Sequence, residues 1–153
     1  MNHEIPSINA GNRSVGEFIS LNWSTVRWGW VGLGVVIAFV IAHGSSICVV
    51  TGHATYLSFQ VRGAPDMALI NDFAAKTAGV ITSVFIGVGT FVGGLRAGRK
   101  AQVDAFQNGL MVGLITAFID LALSIFGGFS LLGVVSFILA IGGGWLAGKR
   151  SSQ

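Results

Sequence analysis

An ionisable carboxyl set inside an apolar run is the feature of this chain most capable of chemistry. Asp120 stands in Ile119-Asp120-Leu121, within a stretch long and apolar enough to cross a bilayer. About seven residues separate it from one end of that stretch, roughly 10 Å of depth at ~1.5 Å per residue. A carboxylate at such depth costs on the order of 2–3 kcal/mol, so it must face the bundle interior and find a partner. The sequence offers His43, then Lys76, and the hydroxyls of Thr82, Ser83 and Thr90. A His43–Asp120 pair could hand on a proton or a small ion along a transport route. The same two residues could instead only neutralise each other and fix helix register. A core with two ionisable groups favours the second role, because intramembrane charges must be paired but need not transport.

Other chemistries lack their residues. His3, His43 and His53 have no ligand-like spacing with Cys48, so no metal is expected. No GxxxxGK[ST] phosphate loop occurs, and no Ser-His-Asp arrangement suggests a nucleophile. The reading is therefore of a protein that is not an enzyme and carries no cofactor. Cys48, the only cysteine, excludes an intrachain disulfide; its setting in Ile47-Cys48-Val49-Val50 suggests a small buried apolar residue.

The elements that must position Asp120 follow from composition. Of 153 residues, 52% are hydrophobic and 10% charged, against roughly 25% charged in a soluble domain. One small soluble domain could not hide that much apolar surface. Four stretches meet the ~20 residues that a helix needs to span a bilayer: about 30–50, 77–95, 106–126 and 129–146. The fold class is all-α, with a four-helix transmembrane domain over 28–148. It is flanked by an N-terminal tail, 1–27, and a C-terminal tail, 149–153. The polar residues 1–14 do not read as a cleavable signal, so the first span is expected to stay as an anchor. The second helix is expected to begin earlier than its span, near Pro65-Asp66, with Asp72 and Lys76 one turn apart on an exposed extension. Residues 51–64 read as an outer connection, with a short strand or lid in the alternating run Thr55 to Val61. Val15, Phe18, Ile19 and Val26 suggest an interfacial helix leading into the first span.

Orientation follows from the basic residues. Arg13, Arg27, Arg96, Arg99, Lys100, Lys149 and Arg150 fall on one side of the spans, and only Arg62 and Lys76 on the other. Such a bias predicts that both termini and the middle loop face the cytoplasm. Trp23, Trp28, Trp30 and Trp145 lie at the same boundary, where amphipathic rings anchor. The basic pI is thus explained without nucleic acid.

The chain also aligns with itself. Gly32-Leu33-Gly34-Val35-Val36-Ile37 matches Gly109-Leu110-Met111-Val112-Gly113-Leu114, which sets His43 opposite Asp120. Gly93-Gly94-Leu95-Arg96-Ala97-Gly98-Arg99-Lys100 matches Gly143-Gly144-Trp145-Leu146-Ala147-Gly148-Lys149-Arg150. Two repeated helical hairpins, related by a pseudo-twofold along the membrane normal, are expected. Small residues four apart recur throughout: Gly34, Ala38 and Ala42; Gly89 and Gly93; Gly94 and Gly98; Gly109 and Gly113; Gly144 and Gly148. They permit close helix approach in lipid, mostly inside one bundle, with an outward face on the glycine-rich second helix for an oligomer or a partner membrane protein.

Asn22-Trp23 with Arg27-Trp28-Gly29, and the Gly93–Arg99 stretch, carry a resemblance over most of the chain. It resembles small, uncharacterised bacterial four-helix, glycine-rich inner-membrane proteins. That resemblance implies topology and a bacterial inner membrane, and no reaction. The expected role is a structural or accessory subunit associating through glycine-rich faces; the alternative is a small oligomeric transporter or channel for protons or small ions, using His43 and Asp120.

Overall fold

A computed structural model describes residues 23–102, 104–126 and 131–153. These residues form four α-helices: α1 (Trp28–Val61), α2 (Met67–Ala101), α3 (Ala105–Phe126) and α4 (Leu131–Ser151). All four are long and apolar enough to cross a membrane. The suggested interfacial helix lies, but for its last residues, outside the described residues, as does the start expected for the fourth span. Trp23–Thr25 form a single 3-10 turn before α1.

Helices are the form in which an apolar segment can satisfy its own backbone without water. Their ends are set locally. Asp66 caps α2, its carboxylate accepting the Ala68 N–H at 2.8 Å, as the Pro65-Asp66 pair predicts. α1 ends at Arg62, whose left-handed backbone lets Gly63 donate to the Ser58 carbonyl at 3.3 Å. Between α2 and α3, Gln102 and Asp104 are both at positive φ.

The outer connection corrects the sequence reading. Residues 51–61 form neither strand nor lid; they continue α1 without a break. Their alternation is short, and a helix already nucleated in an apolar segment propagates at little cost. At 34 and 35 residues, α1 and α2 are each about 50 Å long, well beyond the ~30 Å hydrocarbon layer. α3 and α4, at 22 and 21 residues, match it. Because α4 begins level with Gly79, whose Cα faces Leu132, the α1–α2 hairpin extends past the four-helix part. His53 of α1 stacks on Phe73 of α2 there, ring centroids 3.8 Å apart.

Within the bundle α2 touches every other helix, and α3 does too; α1 and α4 do not meet among the described residues. Glycines set these approaches. A Cβ on Gly34 would stand 2.8 Å from the Gly93 carbonyl oxygen, and one on Gly89 would press on the backbone of Ala38. In the second hairpin a Cβ on Gly113 would lie 2.9 Å from the Gly144 Cα, and one on Gly109 2.7 Å from the Gly148 Cα. Gly94 and Gly98 face α3 and α4, meeting Gly109, Ala147, Ala105 and Ser151. The small residues of α2 are thus spent inside the bundle, against α1 on one side and against α3 and α4 on the other.

Each hairpin closes on a glycine pair, Gly34 with Gly93 and Gly113 with Gly144. Gly143, which the self-alignment sets opposite Gly93, faces Gly87 and Thr90 of α2 rather than α3. The close approaches therefore follow a different register from the self-alignment. Packing is decided by where small residues meet, and apolar residues between them align in several registers equally well.

Two apolar clusters fill the core. One joins Val31, Val35, Ala97, Met111 and Val112; the other joins Ala42, Ile86, Ala117 and Ala140, one residue from each helix. Large side chains such as Val40, Ile47, Phe118 and Ile138 point outward, as lipid contact requires. Cys48 is exposed, which corrects the expectation that it is buried. It lies on the outward side of α1, where an apolar residue needs no protein cover.

Candidate functional site

Polar side chains from all four helices come together above the apolar cluster of Ala42, Ile86, Ala117 and Ala140. Asp120 of α3 lies near Ser136 of α4 and His43 of α1. The Ser136 hydroxyl donates to that of Ser83, on α2, at 2.7 Å. Ser83 in turn donates to the Gly79 carbonyl, one turn back, at 2.8 Å. One turn further out, the Ser46 hydroxyl of α1 donates to the Ala78 carbonyl at 3.5 Å. Ser46, Ser83 and Ser136 are buried, whereas Asp120 is half-buried.

The expected partners of Asp120 divide sharply. His43 is at the outer edge of the layer: its ring is exposed and stacks on Phe39 at 5.8 Å. Lys76 is elsewhere, its ammonium 2.7 Å from Asp72 with both side chains mostly exposed. That i, i+4 pair leaves no lysine for Asp120. Of the hydroxyls, Ser83 belongs to the layer through Ser136. Thr82 is half-buried, and Thr90 is buried deeper in the bundle, donating to the Gly87 carbonyl at 2.9 Å. Ser136 went unnoticed in the sequence because a lone serine in an apolar helix carries no periodic signal. Thr116, one turn below Asp120, is fully buried with its hydroxyl unpartnered.

The basic end of the bundle holds a second polar centre, equally silent in the sequence. Asn108 is fully buried on α3. Its amide oxygen accepts the Arg27 N–H at 2.8 Å, and its amide nitrogen donates to the Asp104 carbonyl at 3.1 Å and the Thr25 carbonyl at 3.4 Å. Thr25 donates to the Gln107 amide oxygen at 3.0 Å. Arg27 caps α1 without any side-chain bond of its own, so Asn108 supplies from another helix the acceptor that an N-terminus needs. Around this centre Trp23 stacks on Trp28 at 5.9 Å, and the Lys149 ammonium lies 5.4 Å above the Trp145 ring.

The upper layer thus offers a carboxyl beside two hydrogen-bonded hydroxyls, with an imidazole at its margin. The apolar cluster directly beneath it separates the layer from the basic end. Among the described residues no three His, Cys, Asp or Glu side chains converge as a metal site would require. No known family, curated protein or solved structure matches the chain.

Proposed function

We propose that this chain is a non-enzymatic structural or accessory subunit of a bacterial inner membrane, with both termini in the cytoplasm. In this reading the four-helix unit is an anchor, and the hairpin of α1 and α2 beyond it meets a partner membrane protein or a second copy. One observation carries it. α1 and α2 are each about 50 Å long, more than any tilt within the usual range of 0–40° can bury in a ~30 Å layer. The part left over carries Tyr56, Phe59, Val61, Met67 and Leu69, all exposed. Apolar side chains grouped outside the bilayer mark an interaction site. Association therefore runs through the hairpin end, since the glycine pairs Gly34–Gly93, Gly113–Gly144 and Gly109–Gly148 are occupied within the bundle. In this reading the hairpin is also a duplicated unit, a view supported by the glycine contacts within each, Gly34 with Gly93 and Gly113 with Gly144.

A photoreactive phenylalanine analogue at Phe59, with another at Phe118 as the lipid-facing comparison, tests this. The reading expects a discrete polypeptide adduct from position 59 and none from 118. Equal, diffuse labelling of lipid from both positions would sink it.

The polar layer favours a second reading, an oligomeric transporter or channel for protons or small ions. His43, Asp120, Ser136 and Ser83 would line its route. The closed apolar cluster beneath them argues against it. A pH-driven flux in liposomes that disappears with Asp120→Asn would establish it.

A further inference from the structure

The lipid-facing side between α2 and α4 carries an apolar groove of about 630 Å³. It exists because its floor has no side chains: Gly87 and Gly142 lie along it, and a Cβ built on Gly142 meets nothing within 4 Å. Val84 and Phe91 of α2 and Ile138 and Leu146 of α4 form the walls. Phe91 and Leu146 also line a second hollow, of about 370 Å³, whose remaining residues are Lys149, Arg150 and Gln153. The two hollows adjoin at Phe91 and Leu146, apolar along the helices and cationic at their basic end. From Ile138 to Leu146 the apolar part runs about 12 Å, close to the ~15 Å depth of one hydrocarbon leaflet.

We propose that these adjoining hollows hold an anionic phospholipid, one acyl chain in the groove and the phosphate against Lys149 and Arg150. The charge order matches one class of occupant. An acyl chain needs a dry channel ending at the interface, and an anionic headgroup needs cations where that channel ends. A transmembrane helix of a second copy would present its own basic end to Lys149 and Arg150 if it lay parallel. The ammonium of Lys149 is held over Trp145, which fixes the charge beside the mouth of the groove and makes Trp145 a reporter.

The full-length chain with Trp23, Trp28 and Trp30 changed to Phe keeps Trp145 as its single tryptophan. In phosphatidylcholine vesicles, brominated phosphatidylglycerol should quench Trp145 several-fold more than brominated phosphatidylcholine at the same mole fraction. Lys149→Gln and Arg150→Gln should each lower that preference about five-fold, from ~1 kcal/mol per cation. Gly142→Leu should abolish it by filling the groove, and unchanged circular dichroism would show that the helices persist. Equal quenching by both lipids would overturn the proposal. So would a preference for phosphatidylglycerol that survives Gly142→Leu, since charge alone would then explain it. A dimer converted to monomer by Gly142→Leu, with quenching unchanged, would assign the groove to a second copy and equally overturn it.

Discussion

Asn108, buried on α3, caps α1: its amide oxygen accepts the backbone N–H of Arg27 at 2.8 Å. The bond reaches across the whole first hairpin in sequence, and the same side chain also holds Thr25 and Asp104. Asn108→Leu leaves the Arg27 N–H and the Thr25 carbonyl without these partners. A loss of about 1–3 kcal/mol is expected for buried groups left unpaired, read by unfolding in mixed detergent micelles. Asn108→Ser, which keeps an acceptor, should recover part of it.

The Gly34–Gly93 approach should tolerate no side chain. A Cβ on Gly93 would run into the Gly34 backbone, so Gly93→Ala should destabilise by about 1–3 kcal/mol through overpacking. Gly32→Ala is the control, because a Cβ there meets nothing. That substitution should be neutral or stabilising by up to ~1 kcal/mol, from helix propensity alone. Equal losses in the two variants would mean that the helices do not cross at Gly34 and Gly93.

Ser136 ties α4 to α2 by donating its hydroxyl to that of Ser83 at 2.7 Å. Hydrogen bonds between helices in a bilayer are worth on average ~0.6 kcal/mol. Ser136→Ala should therefore cost about 0.6 kcal/mol, since one interhelical bond is lost. Ser136→Ala combined with Ser83→Ala should cost less than the sum of the single changes, because they share a bond. Strict additivity in a double-mutant cycle would show that the two hydroxyls act separately.

The Asp72–Lys76 pair is exposed and should contribute little despite its 2.7 Å separation. Lys76→Gln is expected to change stability by no more than about 0.5 kcal/mol. A larger loss would indicate that Lys76 reaches a buried partner after all.

The sidedness has a direct chemical test. In a Cys48→Ser background, a membrane-impermeant maleimide should label Phe59→Cys on intact spheroplasts. Ser152→Cys should react only after permeabilisation. The reverse order would invert the topology inferred from the basic residues.

What the sequence revealed and what it concealed divide along physical lines. Spanning helices are written in composition over some twenty residues, so all four were legible. The start of α2 was legible too, because the N-cap at Asp66 is a local device. The length of α1 was not. Residues 51–61 carry mixed polarity, and the helix persists there because its first turns are already formed and α2 packs beside it. Ser136 and Asn108 stayed hidden for another reason. A single polar residue in an apolar helix has meaning only through what it faces, and that depends on the rotation of helices far apart in the chain. His43 and Asp120 stand out in the sequence by their charge, whereas the Ser136–Ser83 bond beside them depends on helices to which neither belongs.

The absence of contact between α1 and α4 bears on how the protein is made. Each helix after the first, as it leaves the ribosome, finds a neighbour already delivered: α2 lands on α1, α3 on both, and α4 on α2 and α3. No later segment has to wedge between two that have closed. Assembly can then proceed in the order of synthesis, with the start of α1 left uncapped until Asn108 arrives.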